Sequence, residues 1–436
     1  MNSVSSHLLS FLSEHLLQKK QNCPSFSILS RTFLSNLFQK IHDAHLLWYE
    51  HYPNILKSEF EYDYHHAKHK HTMIPPEIRK KYIDTKPREK IFQRKYSIPV
   101  GNKRFDIYIW FPITLPSTHH MTPGRPNNHK NNEMLMSHKQ IQEKIVRILR
   151  KIYLWLHVVC SYLPKTHKCS NLVEVYLFLT EHQKNLPHHH DIPVDVIHAN
   201  TAFTTACVAE NTSICLFREE EWFKVFMHET FHTLGLDFIA IDHPSINHKI
   251  KQTFPIAVDD IRVYEVYAEM WAEIMNVLFV VYEMDPPARK GRLPMIRWIA
   301  TLEKAFLLEQ TFSLFQANKV LAFQKLKYSD LFGASHYKEN TYIFSYFILK
   351  SIWMFHVNEF LEFCAKQSGG FSIQFDMSSS SKNLNLFLSN LVTFATSEKY
   401  ISEMSRMCEL SIPLLDKKKR GDFLANTLRM TCLELV

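Results

Sequence analysis

At 436 residues the chain is longer than one hydrophobic core usually serves, which predicts two or three packed subdomains with material for a buried cleft. Its formal net charge is +8, yet the signs are interspersed, as in Lys139 to Arg150, and the basic run Lys417 to Arg420 is flanked by Asp416 and Asp422, so the surplus reads as solvated surface and not as a nucleic-acid-binding stripe. The longest apolar run, Ile274 to Tyr282, still carries Asn276 and is far short of the roughly 20 residues of a membrane span.

His7, Ser10, Ser13, Glu14 and His15 break up the apolar stretch that a secretory leader would need. The eight cysteines (Cys23, Cys160, Cys169, Cys207, Cys215, Cys364, Cys408 and Cys432) show no CxxC spacing and read as buried free thiols of a reducing compartment. The expectation is a soluble, intracellular, cytoplasmic protein.

Helical patterns over Ser5 to Lys19 and Phe26 to Tyr49 open the chain, and Pro53 interrupts them. His65, His66, His69 and His71, among lysines, read as a solvated loop with no catalytic role. Lys90 to Val100 and Lys103 to Ile113 are strand-like and meet at Gly101-Asn102, a hairpin turn. Pro116 to Asn132 is a Pro- and Asn-rich exposed or disordered loop, followed by a long helix over Met136 to Leu163. Strands are predicted at Leu172 to Thr180 and, beyond a loop through His188 to His190, near Val194 to Ile197, Ala202 to Val208 and Ser213 to Phe217.

The next helix carries His228-Glu229-Thr230-Phe231-His232. Residues four apart stack on one helix face, so the two histidines can chelate one ion while Glu229 lies beside them near a bound water. Glu219, Glu220 and Glu221 form an acidic first turn, and Gly235 offers the left-handed stop. Zinc centres that catalyse hydrolysis use three protein ligands and keep one position for water, so a third ligand must follow.

Three routes are open. Gly235 imitates an HExxHxxGxxH pattern, but the ligand position is Phe238 and Asp237 is one residue out of register. His243 or His248 could serve from the following loop. The favoured route is the helix over Asp260 to Tyr282, where Glu265, Glu269 and Glu273 recur every four residues on a largely apolar background. Glu265-Val266-Tyr267-Ala268-Glu269 and Glu269-Met270-Trp271-Ala272-Glu273 fit equally. Glu269, central and flanked by Ala268 and Ala272, is the expected ligand, with Glu265 the alternative ligand or an outer hydrogen-bond partner.

Residues from about His198 to Asn276 resemble a gluzincin-type zincin. More narrowly, Phe217 to Asp237 with Tyr267 to Ala272 looks like the HExxH metallopeptidases encoded by large nucleocytoplasmic DNA viruses. The resemblance implies a Zn2+ ion and hydrolysis of a peptide bond by a zinc-activated water, with Glu229 as general base. Its partner would be a peptide or protein substrate, paired with the edge strand containing Ala202 to Val208. A viral protein would reside in the host cytoplasm or the virion. Candidate oxyanion donors are Tyr342, Tyr346 and His336.

The expected fold class is therefore α+β: a zincin-like catalytic half with a small mixed sheet and the HExxH helix, plus mainly α-helical amino-terminal and carboxy-terminal regions. The expected divisions are 1–88 (helical), 89–285 (catalytic, with a mobile loop at about 115–133) and 286–436 (α-helical, with a flexible loop at Gly369-Gly370 and Ser378 to Ser381). Alternative functions are a catalytically idle zincin-fold structural or assembly protein and a nucleic-acid-associated protein, for which no clear motif is present.

Overall fold

The computed structural model describes residues 1–17, 24–64, 72–114, 135–164, 168–241, 243–285, 295–333, 335–368, 370–416 and 422–435. The His-rich stretch 65–71, the whole loop at 115–133, Cys23, Gly369 and the basic run 417–420 lie outside them.

Mixed α and β structure is built on one six-stranded sheet in the order β1-β2-β3-β4-β6-β5. Its strands are β1 (Phe60–Glu61), β2 (Ile91–Val100), β3 (Lys103–Pro112), β4 (Leu172–Phe178), β5 (Ala202–Thr204) and β6 (Thr212–Leu216). The β2–β3 hairpin closes with Val100 opposite Lys103, and Gly101 turns it at φ +61°. β3, β4 and β6 run parallel, while β5 returns antiparallel at the edge.

Side chains alternate along each strand and divide between two cores. Phe105, Ile107, Ile109, Phe111, Val173, Val175, Leu177, Ile214 and Leu216 enter the main core. Trp110, Tyr176, Phe178 and Cys215 face the other way, under a cover that includes Tyr62, Tyr64, Ile74, Ile78 and Ile83.

The main core is shared with helices α1 (Ser3–Phe11), α2 (Ile28–Lys57), α3 (His138–Cys160), α4 (Trp222–Thr233), α5 (His243–Thr253), α6 (Val263–Met284) and α7 (Met295–Phe323). Ser137 and Gln140 start α3 with a reciprocal capping box. No helix among the described residues is long and apolar enough to cross a membrane.

Four local expectations are corrected. Helix α2 runs through Pro53 to Lys57, because Ile55 is buried in the main core and tertiary packing outweighs one missing N–H near the helix end. Val196–Ala199 is a helical turn and not a strand, since Asp195 accepts a hydrogen bond from Val196 N and its own N–H is taken by His198. Ser378 to Ser381 lead from a 3₁₀ turn into the helix Ser380–Ala395. Cys169 and Cys207 are joined and not free: the hydrogen bond from Ser170 N to Val208 O brings the approach to β4 beside the β5–β6 connection.

Candidate metal centre

Helix α4 presents His228, Glu229 and His232 on one side, while Trp155 of α3 donates to the Thr230 hydroxyl on the other at 2.8 Å. Its amino terminus differs from the acidic first turn expected. Glu219 to Glu221 precede the helix, and Glu221 adopts a left-handed conformation (φ +58°). The buried Glu221 carboxylate accepts from Lys184 Nζ and from the backbone N–H groups of Met430 and Thr431, all at 2.7 Å.

Helix α4 ends as a Schellman motif. Gly235 is left-handed (φ +59°), Leu236 N donates to Phe231 O at 2.8 Å, and Gly235 N donates to His232 O at 3.2 Å. A Cβ on Gly235 would meet Cys207 Cβ at 3.3 Å, so the Cys169–Cys207 link packs directly against this turn. The turn delivers Asp237 to Nδ1 of His232 in a short contact.

Helix α6 crosses α4 and supplies the facing carboxylates. Glu265 Oε2 lies 3.0 Å from His228 Nε2 and 3.2 Å from His232 Nε2, and the two Nε2 atoms are 3.0 Å apart. Three atoms on a tetrahedral zinc with bonds of about 2.0–2.1 Å would stand roughly 3.3 Å from one another, so this triangle is close to the spacing such an ion requires. Among the described residues, His228, His232 and Glu265 are the one group of three or more His, Cys, Asp or Glu side chains converging in this way.

Glu269, expected as the ligand, is turned to other partners. Its Oε2 lies 3.0 Å from His228 Nδ1, too bent for a good ring N–H hydrogen bond, and its Oε1 holds Lys224 Nζ in a short buried contact. The reason is helical spacing: Glu265 and Glu269 are one turn apart on α6, and only the first reaches the inner face of the two imidazoles. Glu273, a further turn along, faces Lys350 Nζ at 3.5 Å.

Both outer nitrogens thus face carboxylates: Asp237 bonds to His232, and Glu269 stands 3.0 Å from His228 Nδ1. Such partners fix the imidazole so that Nε2 faces the ion and increase its basicity. Two imidazole nitrogens plus one carboxylate oxygen form a set suited to zinc, so the residues present fit that ion.

Charge reinforces the arrangement. Burial lowers the His232 pKa, but Glu265 and Asp237 outweigh it and hold the ring well above its ordinary range. For His228, burial is likewise overcome by Glu265 and Glu269. Burial raises the Glu265 carboxyl, yet the two histidines bring it well below the usual range. Glu229 differs: burial dominates, and its pKa is raised. Its carboxylate has no hydrogen-bond partner among the described residues.

Of the candidate oxyanion donors, Tyr346 lines the same cavity as His228 and Glu229, its ring centre 6.1 Å from that of His228. Burial first, then Glu265, keeps its phenol well above the usual range, so it stays a donor. Tyr342 sits under the Arg262 guanidinium, 3.9 Å from the ring centre, and does not line the cavity. His336 is exposed and contacts Gln324 O at 3.0 Å, outside the site.

The other ligand routes lead elsewhere. Phe238 packs on Phe375, Phe387 and Tyr267, His248 is exposed on α5 beside Gln252, and the His243 side chain lies outside the described ones. Sequence reasoning missed Asp237 as a partner of His232, although its place directly after the glycine stop was the available signal. It also missed Lys224, one turn before His228, and Met430, which no local pattern marks. No family model matches the chain, and comparison with characterised proteins and with solved structures finds no match.

Proposed function

We propose that this protein is a zinc-dependent metallopeptidase, with His228, His232 and Glu265 as metal ligands and Glu229 as general base. One observation carries the reading: two Nε2 atoms and a carboxylate oxygen stand 3.0–3.2 Å apart, each imidazole is backed by its own carboxylate, and Glu229 faces the adjoining cavity. A structural tie between helices would not need a buried, unpartnered glutamate at the same place.

A bound zinc ion supplies a Lewis acid that polarises the scissile carbonyl and acidifies a water. Glu229 takes the proton from that attacking water and passes it to the departing amine nitrogen, and its raised pKa suits both transfers. The Tyr346 hydroxyl, on the cavity wall, donates to the oxygen on which negative charge develops. Asp237 and Glu269 hold the two rings in place, and Lys224 balances Glu269.

The substrate is a polypeptide segment in extended form. Edge strand β5 has β6 on one side only, and Ala202 at its start lines the cavity, so a chain pairing with β5 would lead its backbone past Glu229.

The test combines zinc stoichiometry with a peptide library. One zinc per chain with cleavage abolished by Glu229→Gln supports the proposal. One zinc per chain with no cleavage of any peptide favours the idle, structural alternative.

A further inference from the structure

The cavity beside Glu229 is open to solvent on one side and leaves about 30 Å³ for water-sized groups between its walls. A water needs roughly 15 Å³ by this measure, so there is room for about two waters and not for a bulky side chain. Its walls include Val225, Ala199, Ala202, Tyr346 and Met430.

Four of these walls belong to the sheet edge or to packed helical elements. Met430 is different: it comes from the carboxy-terminal segment, 201 positions after Glu229 in sequence, and it is an unbranched side chain on a fixed backbone. That backbone is held from two sides. Glu221 accepts from the N–H groups of Met430 and Thr431 at 2.7 Å, and Lys350 Nζ donates to Met430 O at 3.2 Å. Just beyond, Glu309 accepts from Cys432 N at 3.1 Å and from Leu433 N at 2.9 Å.

The Met430 thioether therefore projects from a rigid support, with Sδ 3.6 Å from Lys224 Nζ and the side chain only 6% exposed. Methionine has three rotatable side-chain bonds and a soft sulfur, so it can seal a small space and still yield to a modest group.

We propose that Met430 is the specificity-determining residue of the site, restricting the substrate residue beside Glu229 to small side chains such as glycine, alanine or serine. The inference rests on the metallopeptidase reading and adds the substrate class to it. Replacing Met430 with Ala removes Cγ, Sδ and Cε from the wall and should admit an aromatic ring. Replacing it with Leu keeps the bulk and should not.

The experiment uses the full chain loaded with zinc and measures calorimetric binding of acetohydroxamate and benzohydroxamate, small metal-directed probes that differ in bulk. The expected result is that wild type and Met430→Leu bind acetohydroxamate but bind benzohydroxamate at least about ten-fold more weakly, the discrimination typical of a pocket limited by shape. Met430→Ala should tighten benzohydroxamate by about ten-fold while leaving acetohydroxamate within about two-fold. If Met430→Ala does not fold, Met430→Val takes its place in the same comparison.

With zinc bound, equal benzohydroxamate affinity in all variants, the same gain in Met430→Leu, or no hydroxamate binding at all overturns the role of Met430 and leaves the metal centre standing. Failure of the wild-type chain to take up zinc overturns the metallopeptidase reading itself, and this inference with it.

Discussion

Glu265 and Glu269, one turn apart on α6, approach opposite nitrogens of the same imidazole: Glu265 Oε2 lies 3.0 Å from His228 Nε2, and Glu269 Oε2 lies 3.0 Å from His228 Nδ1. Two carboxylates four residues apart thus have different tasks. On the proposed reading, removing the inner one would delete a ligand, whereas removing the outer one would only loosen the ring that carries a ligand. Glu265→Gln is expected to weaken zinc binding by more than about 100-fold, and Glu269→Gln by about 10–100-fold, the usual range for an outer partner. A zinc competition titration measures both, and the reverse order would assign the ligand to Glu269.

Glu229→Gln preserves the shape of the side chain and removes its capacity to accept a proton. Zinc stoichiometry should stay at one per chain while peptide hydrolysis falls by about 10²–10⁴-fold, the range general base catalysis contributes. Cleavage at the wild-type rate would remove Glu229 from the mechanism.

The pH dependence follows from the shifted groups. In the metal-free chain the His228 and His232 pKa values are raised, so their contribution to stability is complete below the ordinary value of 6.5 and is lost as pH rises through the raised values. The Glu265 and Glu269 pKa values are lowered, so their contribution is present above 4.5 and lost as pH falls through the lowered values. The cluster therefore stabilises the metal-free chain most between these limits, and melting temperature should fall as pH rises above 6.5. Zinc should reverse that fall. Its binding should also release protons near pH 7, which calorimetry in buffers of different ionisation enthalpy reads directly.

Gly235→Ala should destabilise the chain by about 1–2 kcal/mol from the left-handed backbone alone. The added Cβ, 3.3 Å from Cys207 Cβ, presses on the Cys169–Cys207 link and displaces the turn that delivers Asp237 to His232. A lower denaturant midpoint together with weaker zinc binding is the expected pair of changes. A lower midpoint with zinc affinity unaltered would separate the turn from the site.

Much of the sheet and of the helix that carries His228 and His232 is legible in the sequence because local signals act alone there. Gly101-Asn102 closes a hairpin between alternating strands, the four-residue spacing of His228 and His232 fixes a shared helix face, and Gly235 ends that helix because a left-handed residue is needed. The choice between Glu265 and Glu269 was not legible. A stripe repeating every four residues looks the same from each of its members, and only where α6 crosses α4 breaks the tie.

Long-range partners were hidden for the same reason. Pro53 reads as a helix stop until the packing of Ile55 is known, and Cys169 and Cys207 are brought together by the sheet across 38 residues. Met430 carries no motif at all. Its position follows from the path of residues 430–433 past Glu221 and Glu309, a property of the assembled core.

X-ray absorption at the zinc edge of the loaded, full-length protein tests the central claim most directly, because it reads the ligand atoms around the ion without requiring turnover. The account predicts one zinc per chain with nitrogen and oxygen neighbours at about 2.0–2.2 Å, two imidazole scattering patterns, and loss of the signal in His228→Ala, His232→Ala and Glu265→Ala. Sulfur neighbours at about 2.3 Å, or an unchanged spectrum in Glu265→Ala, would contradict it.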